Sequence, residues 1–298
     1  MGVKNKKTTT AATATKIITP HNEKHEIRPG QSIELLKELH ILTRDGKMNQ
    51  DSRRKLKQVY HLYQFIEPLL AKLQHQGSPI SLVDHGAGKS YLGFILYDLY
   101  FKAQAQQFRI YGIESREELV TKSQELATKL NFTHMEFLNL AVAAATNSPH
   151  LPEQIDIVTA LHACNSATDD AIAFALKKQA KFIVLVPCCQ AEIAALLKNN
   201  PQQSTLSEIW RRPMHAREFG SHITNVLRCL QLEAHGYAVT VTELVGWEHS
   251  LKNELIIAEF KNLAPQAPQQ RLNELLAMLG LNQLKARFYP LTTAAHSS

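Results

Sequence analysis

Ile80-Ser81-Leu82-Val83-Asp84-His85-Gly86-Ala87-Gly88-Lys89-Ser90 is the stretch that decides how the rest of the chain is read. A short apolar run ends in two glycines one residue apart, and the chain then enters the helical pattern of Tyr91–Lys102. Glycine lets the backbone turn sharply and approach a ligand closely, while the helix that follows offers unpaired N-terminal amides. A phosphate loop ending in Gly-Lys-Ser needs another glycine five positions before Gly88, where Val83 stands. A dinucleotide fingerprint needs one three positions after Gly88, where Tyr91 stands. Asp-x-Gly-x-Gly is what remains.

On both sides of this loop, β-rich runs alternate with helical stretches. The runs are Ile80–Asp84, Phe108–Glu114, His134–Asn139, Ile155–Leu161, Lys181–Pro187, Tyr237–Leu244 and Glu254–Phe260. Tyr91–Lys102, Arg116–Lys129 and Thr168–Gln179 read as helices between them. Such alternation predicts an α/β fold, a parallel sheet covered by helices on both faces. Only Val245–Asn253 separates the last two runs, too little for a helical crossover, so the last strand should run antiparallel. A mostly parallel seven-stranded sheet with an antiparallel last strand is the expected, Rossmann-like architecture.

Composition agrees with one large domain plus extensions. The chain has 298 residues, 44% hydrophobic and 20% charged, which is core-forming rather than disordered. Its longest apolar stretches, such as Phe182–Cys189, are too short to span a membrane. Lys6 stands where a myristoylation signal wants Ser or Thr, and Lys4–Lys16 lacks the apolar core of a secretory signal. Four cysteines, two adjacent, do not make a disulfide framework, so a reducing compartment, most simply the cytoplasm, is expected.

The net charge of +6 is unevenly spread: residues 1–75 carry +7 and the remainder −1. Residues 1–30 read as a flexible basic tail. Residues 31–75 read as a helical extension, with Ser32 capping a helix to about Leu42 and a second helix starting near Asp51. That second helix sets Leu56, Val59, Tyr60 and Tyr63 at helical spacing opposite Arg53, Arg54, Lys55 and Lys57. The basic face is either a solvated arm or a foothold on phosphate. The central domain covers 76–262, followed by a Pro/Gln linker and a C-terminal helix over 263–298.

At the end of the second run, Glu114 is placed to accept hydrogen bonds from the two hydroxyls of a ribose, unless it is merely a surface carboxylate opening a helix. Asn139 or Leu140, after the third run, would lie beside an adenine ring, because ligands of open α/β sheets bind beyond the carboxyl ends of the strands. Asp84, His85, Gly86, Ala87 and Gly88 with Glu114 point to S-adenosylmethionine (SAM).

These residues resemble the class I SAM-dependent methyltransferases over roughly Leu56–Phe260. Leu161-His162-Ala163-Cys164-Asn165-Ser166-Ala167-Thr168-Asp169-Asp170 and Val186-Pro187-Cys188-Cys189-Gln190 narrow the resemblance to the branch called methyltransferase domain type 32. Lys55 and Gln58 look like the branch's leading Lys-x-x-Gln helix, and Lys252-Asn253 like its Lys-Asn turn. The tRNA 2′-O-methyltransferases are more distant kin, and Ala163, Asn165 and Gln190 depart from their motifs.

The resemblance implies a methyl transfer with SAM as cofactor and puts Leu161 and His162 at its methionine end. His162 and Asp169 are the titratable candidates for catalysis, although Thr168-Asp169-Asp170 is also a good helix start. His162, Cys164, Cys188 and Cys189 lack Cys-x-x-Cys spacing, so no metal is expected. In the long insertion Ala191–Gly236, Trp210-Arg211-Arg212 could stack on a base and grip phosphate, or Trp210 could dock into the core. With Lys252 and Asn253, Arg211 and Arg212 are the candidate acceptor-binding residues. Structured RNA is the expected acceptor. Protein or small-molecule acceptors and a non-catalytic SAM-binding assembly factor are the alternatives.

Overall fold

A computed structural model describes residues 27–74, 79–104, 107–161, 166–187, 191–199, 205–244 and 254–288. Strand β1 (Ile80–His85) is buried almost throughout, so its side chains must find apolar partners on both faces. Leu82 packs in the cluster on one face, and Val83 packs in the cluster on the other. Strands β2 (Phe108–Glu114), β3 (Met135–Asn139), β4 (Ile157–Leu161), β5 (Phe182–Val186), β6 (Tyr237–Glu243) and β7 (Glu254–Phe260) complete the sheet. Their order is β3-β2-β1-β4-β5-β7-β6, and β7 runs antiparallel to both neighbours. The architecture expected from the alternating runs is therefore the one observed. The order reverses between β1 and β4, which opens a crevice at the carboxyl ends of these two strands.

Helices α1 (Ile33–Glu38), α2 (Gln50–Gln74), α3 (Tyr91–Leu99) and α4 (Glu117–Lys129) precede β3 in the chain. The first three bury Leu36, Leu56, Ile66, Leu70, Phe94 and Ile95 against Leu82, Ile110 and Val184 on one sheet face. Fully burying one such side chain contributes roughly 1.5–3 kcal/mol. Ser32 caps α1 as expected, accepting from the Leu35 amide at 3.1 Å, but the helix stops at Glu38 rather than near Leu42. His40 takes a left-handed φ of 55°, and the Ile41 and Leu42 amides both return to the Leu36 carbonyl at 2.9 Å.

The opposite face is covered by α5 (Val142–Ala145), α6 (Ser166–Lys177) and the C-terminal end of α8 (Pro213–Glu233), through Ala145, Phe174 and Leu232. The segment expected as an insertion after β5 consists of α7 (Glu192–Lys198), a tight turn Thr205–Trp210 and the 21 residues of α8. The stretch expected as a Pro/Gln linker is already helical from Gln266, where α9 (Gln266–Met278) begins. Leu272 and Leu276 of α9, with Phe288 of α10 (Lys285–Phe288), pack against Leu227 and Leu230 of α8. The C-terminal helices thus close a third core on the far side of α8. No helix among the described residues is long and apolar enough to cross a membrane.

Candidate active site

The chain leaves β1 through Gly86 and Gly88 at φ of 69° and 58°, left-handed values that cost other residues roughly 1–2 kcal/mol. Two such turns in three residues fold the loop onto itself. The Ala87 amide bonds back to the Ile113 carbonyl at 2.9 Å, and the Ser90 amide to the Ala87 carbonyl at 2.7 Å. Helix α3 then packs over β2. A Cβ on Gly93 would meet Ser90 Oγ at 2.7 Å and Met135 Cε at 3.2 Å, so this glycine sets how closely helix and sheet approach. Tyr91 occupies the position of a dinucleotide fingerprint's third glycine, and Gly93 does the packing two residues later.

Glu114 closes β2 opposite this loop. Its Oε2 accepts from the Gly88 amide at 2.9 Å. Its Oε1 accepts from the Arg116 amide at 3.0 Å, and the Arg116 guanidinium donates to both oxygens at 3.0 Å. The Arg116 guanidinium, helped by the two backbone amides, holds the Glu114 carboxyl down at about 2. It is therefore a carboxylate at any working pH. Arg116 lies 62% exposed, so the guanidinium is a partner that a ligand's hydroxyls can displace, whereas the Gly88 amide is part of the loop.

Asp84 and His85 sit beneath the loop and point to opposite faces of β1. Asp84 is buried, and the Thr159 hydroxyl of β4 donates to its Oδ1 at 2.9 Å. Burial raises its carboxyl to about 6, against the lowering effect of that hydrogen bond. His85 is fully buried against the Phe174 ring, with 5.4 Å between centroids. Neither ring nitrogen has a hydrogen-bond partner among the described residues, and burial lowers its pKa to about 4. His85 is a neutral ring packed under the loop.

The register brings the other expected cofactor residues to the same edge. Glu114 pairs with Asn139, the Leu140 amide reaches the Glu114 carbonyl at 3.2 Å, and Leu161 ends β4 opposite Val186. Asn139 is exposed and Leu140 half-buried beside the carboxylate. Gly86, Ala87, Gly88, Glu114, Asn139 and Leu140 thus form one rim, open at the carboxyl ends of β1, β2 and β3. A SAM molecule fits this donor set: left-handed glycines where side chains would crowd it, a loop amide, and a carboxylate for hydroxyl groups. These residues would hold it, and when bound it supplies a methyl group on a sulfonium sulfur.

Asp169 does not face that rim as a free base. Its Oδ1 accepts from Arg228 Nε at 2.6 Å, both side chains being buried, and Arg287 approaches Oδ2 at 3.8 Å. Arg228 also donates to Asn225 Oδ1 at 3.1 Å, and Asn225 Nδ2 donates to Glu254 Oε2 at 2.8 Å. The carboxylate therefore fastens the first turns of α6 to α8, a role that the sequence alone did not show. Its partner lies 59 residues away and reads as one more helix position.

The two basic stretches are carried on opposite sheet faces. Arg53, Arg54 and Lys55 are exposed on α2, whereas Arg211 and Arg212 precede α8. Arg211 pairs with Glu208 at 2.9 Å. Trp210 is buried and stacks on Phe219 with 5.3 Å between centroids, so its indole belongs to the third core and is not available to a base. His162, Cys164, Cys188, Cys189, Lys252 and Asn253 lie outside the described residues. Among the described residues no three His, Cys, Asp or Glu side chains are grouped to hold a metal ion.

Beside the glycine loop, between α2 and the ends of β4 and β5, lies a cavity of about 280 Å³. Leu161, Val186, Leu244, Leu92 and Tyr91 wall it, and Lys55, Gln58, Val59 and Leu62 of α2 cover it.

Comparison with known proteins bears on this arrangement. The family model for the type 32 methyltransferase domain matches residues 54–196, from the first turns of α2 to α7. A curated relative, the glutathione S-transferase C-terminal domain-containing protein of Bos taurus, is 24% identical over 240 residues, covering 73% of this chain. The chain spans about a third of that relative's length, 35%. Among solved structures, the magnesium protoporphyrin IX methyltransferase of Synechocystis PCC 6803 with bound SAM is 13% identical, with a TM-score of 0.43, covering 79% of this chain and all of that one (100%). An rRNA methylase from Streptococcus thermophilus is 11% identical, with a TM-score of 0.37, covering 61% of this chain and 86% of that one. The family model lies over the glycine loop, Glu114 and the end of β4, so residues 54–196 of this chain are similar to the type 32 methyltransferase domain.

Proposed function

We propose that this protein transfers the methyl group of SAM to structured RNA. The observation that carries the reading is the position of Lys55. It stands at the rim of the cavity beside the glycine loop, and Arg53 and Arg54 are exposed on the same helix. A nucleophile must be brought in line with the sulfur–methyl bond, and this cavity is an opening next to the loop through which it can arrive. A positive rim there favours an acceptor whose backbone carries phosphate. The reading gives His162 the methionine end of the cofactor, leaves Lys252 and Asn253 on the acceptor side, and assigns Asp169 to fastening α6. Arg211 and Arg212 serve as an outlying electrostatic contact. A reducing, cytoplasmic setting goes with it, supported by four cysteines in 298 residues.

Incubating the protein with tritiated SAM and fractionated RNA, protein and small-molecule extracts tests this directly. Label is expected in the RNA fraction. Label found only in protein or in small molecules overturns the RNA reading, and no label in any fraction overturns methyl transfer itself.

A further inference from the structure

We infer that the cavity between α2 and the ends of β4 and β5 is a nucleobase pocket, in which Lys55 holds the phosphate of the same nucleotide and Gln58 reads the ring edge. This rests on the RNA reading above and narrows it to a nucleotide turned out of its stack.

The walls are apolar side chains and one ring: Val59, Leu161, Leu244 and Tyr91. Stacking against such surfaces offsets the few kcal/mol lost when a base leaves its neighbours. The volume of about 280 Å³ lies just below the range of ligand sites, which run from about 300 to 1,000 Å³. That is room for one small ring system.

The polar groups sit together on one side. Lys55 and Gln58 are three residues apart on α2, hence neighbours on one helix face. Neither makes an ion pair or hydrogen bond with the described residues. An ammonium suits a phosphate. A carboxamide offers donor and acceptor side by side, the pattern presented by a base edge. Position completes the argument. Tyr91 is the first residue of α3, directly after the glycine loop, and Leu161 is the last of β4, so a base seated here lies next to the cofactor rim.

The test uses the full chain saturated with S-adenosylhomocysteine (SAH). Binding of AMP, GMP, CMP and UMP, and of the four parent nucleosides, is read by saturation transfer to the base protons. At least one nucleotide is expected to give signal. Lys55→Glu should weaken that nucleotide roughly tenfold while sparing its nucleoside. Val59→Trp, which fills the cavity, should abolish both. Lys55 is exposed, so its variant keeps the test decisive if Val59→Trp does not fold. Signal from none of the four nucleotides, or signal indifferent to Lys55→Glu, overturns the pocket. Nucleotides that bind here while RNA takes up no tritium overturn the acceptor reading and leave the pocket standing. RNA methylation with a KM unchanged by Lys55→Glu overturns the pocket and leaves the acceptor.

Discussion

The backbone amide of Gly88 donates to the Glu114 carboxylate at 2.9 Å, tying the glycine loop after β1 to the end of β2. The same carboxylate is gripped by the Arg116 guanidinium. One contact builds the rim, and the other competes for it.

Arg116→Gln should therefore improve the binding of SAH. An exposed ion pair contributes up to about 1 kcal/mol, so the gain in affinity is at most about fivefold. Isothermal titration at low salt is the measurement, and the difference should shrink as salt rises. Weaker binding in this variant would show that the guanidinium belongs to the cofactor site instead of opposing it.

His85 and Asp84 should give opposite pH dependences to folding. The His85 pKa is lowered to about 4, so the unfolded chain takes up its proton first and stability falls as pH drops from about 6.5 towards 4. The Asp84 pKa is raised to about 6, so stability rises as pH drops from about 6 towards 4. The two largely cancel in the native protein. His85→Leu removes one of them and also removes two buried, unpartnered nitrogens, which cost about 1–3 kcal/mol per group. Urea denaturation should show the variant at least as stable as the native protein at neutral pH. At pH 5 its advantage should grow by about 2 kcal/mol. An advantage that does not grow on acidification refutes the buried neutral ring.

The Asp169–Arg228 pair should behave as a fastener. Removing one partner leaves a buried charge, so Asp169→Ala or Arg228→Met should each cost about 3–5 kcal/mol in denaturant unfolding. The double variant Asp169→Leu with Arg228→Met should recover most of that loss. SAH affinity, measured well below the unfolding transition, should not change. Full stability in Asp169→Ala with lost methyl transfer would return this carboxylate to the catalytic machinery.

Much of the fold could be read in advance because its signals are local. Strand–helix alternation gave the parallel sheet, and the short Val245–Asn253 connection gave the antiparallel β7. Glu114 at a strand end was found for the same reason. Contacts made over long separations left no such trace. Nothing near Asp169 announces Arg228 across the chain, and nothing in Trp210-Arg211-Arg212 reveals that the indole turns inward to Phe219. A dinucleotide fingerprint has its third glycine at a fixed spacing, whereas here close packing is met by Gly93. Adding a methyl there meets Ser90 Oγ at 2.7 Å, so Gly93→Ala should destabilise by about 1–3 kcal/mol and loosen the loop. A thermal unfolding scan with and without SAH separates the two effects.

The claim on which the rest depends is that the rim formed by Gly86, Gly88 and Glu114 holds the cofactor. Calorimetric titration of SAH into the native protein and into Glu114→Ala tests it most directly. One site per chain is expected in the native protein, with binding at least about tenfold weaker in the variant, from the loss of charge-assisted hydrogen bonds. No heat of binding in the native protein, or equal affinity in both, would contradict the account.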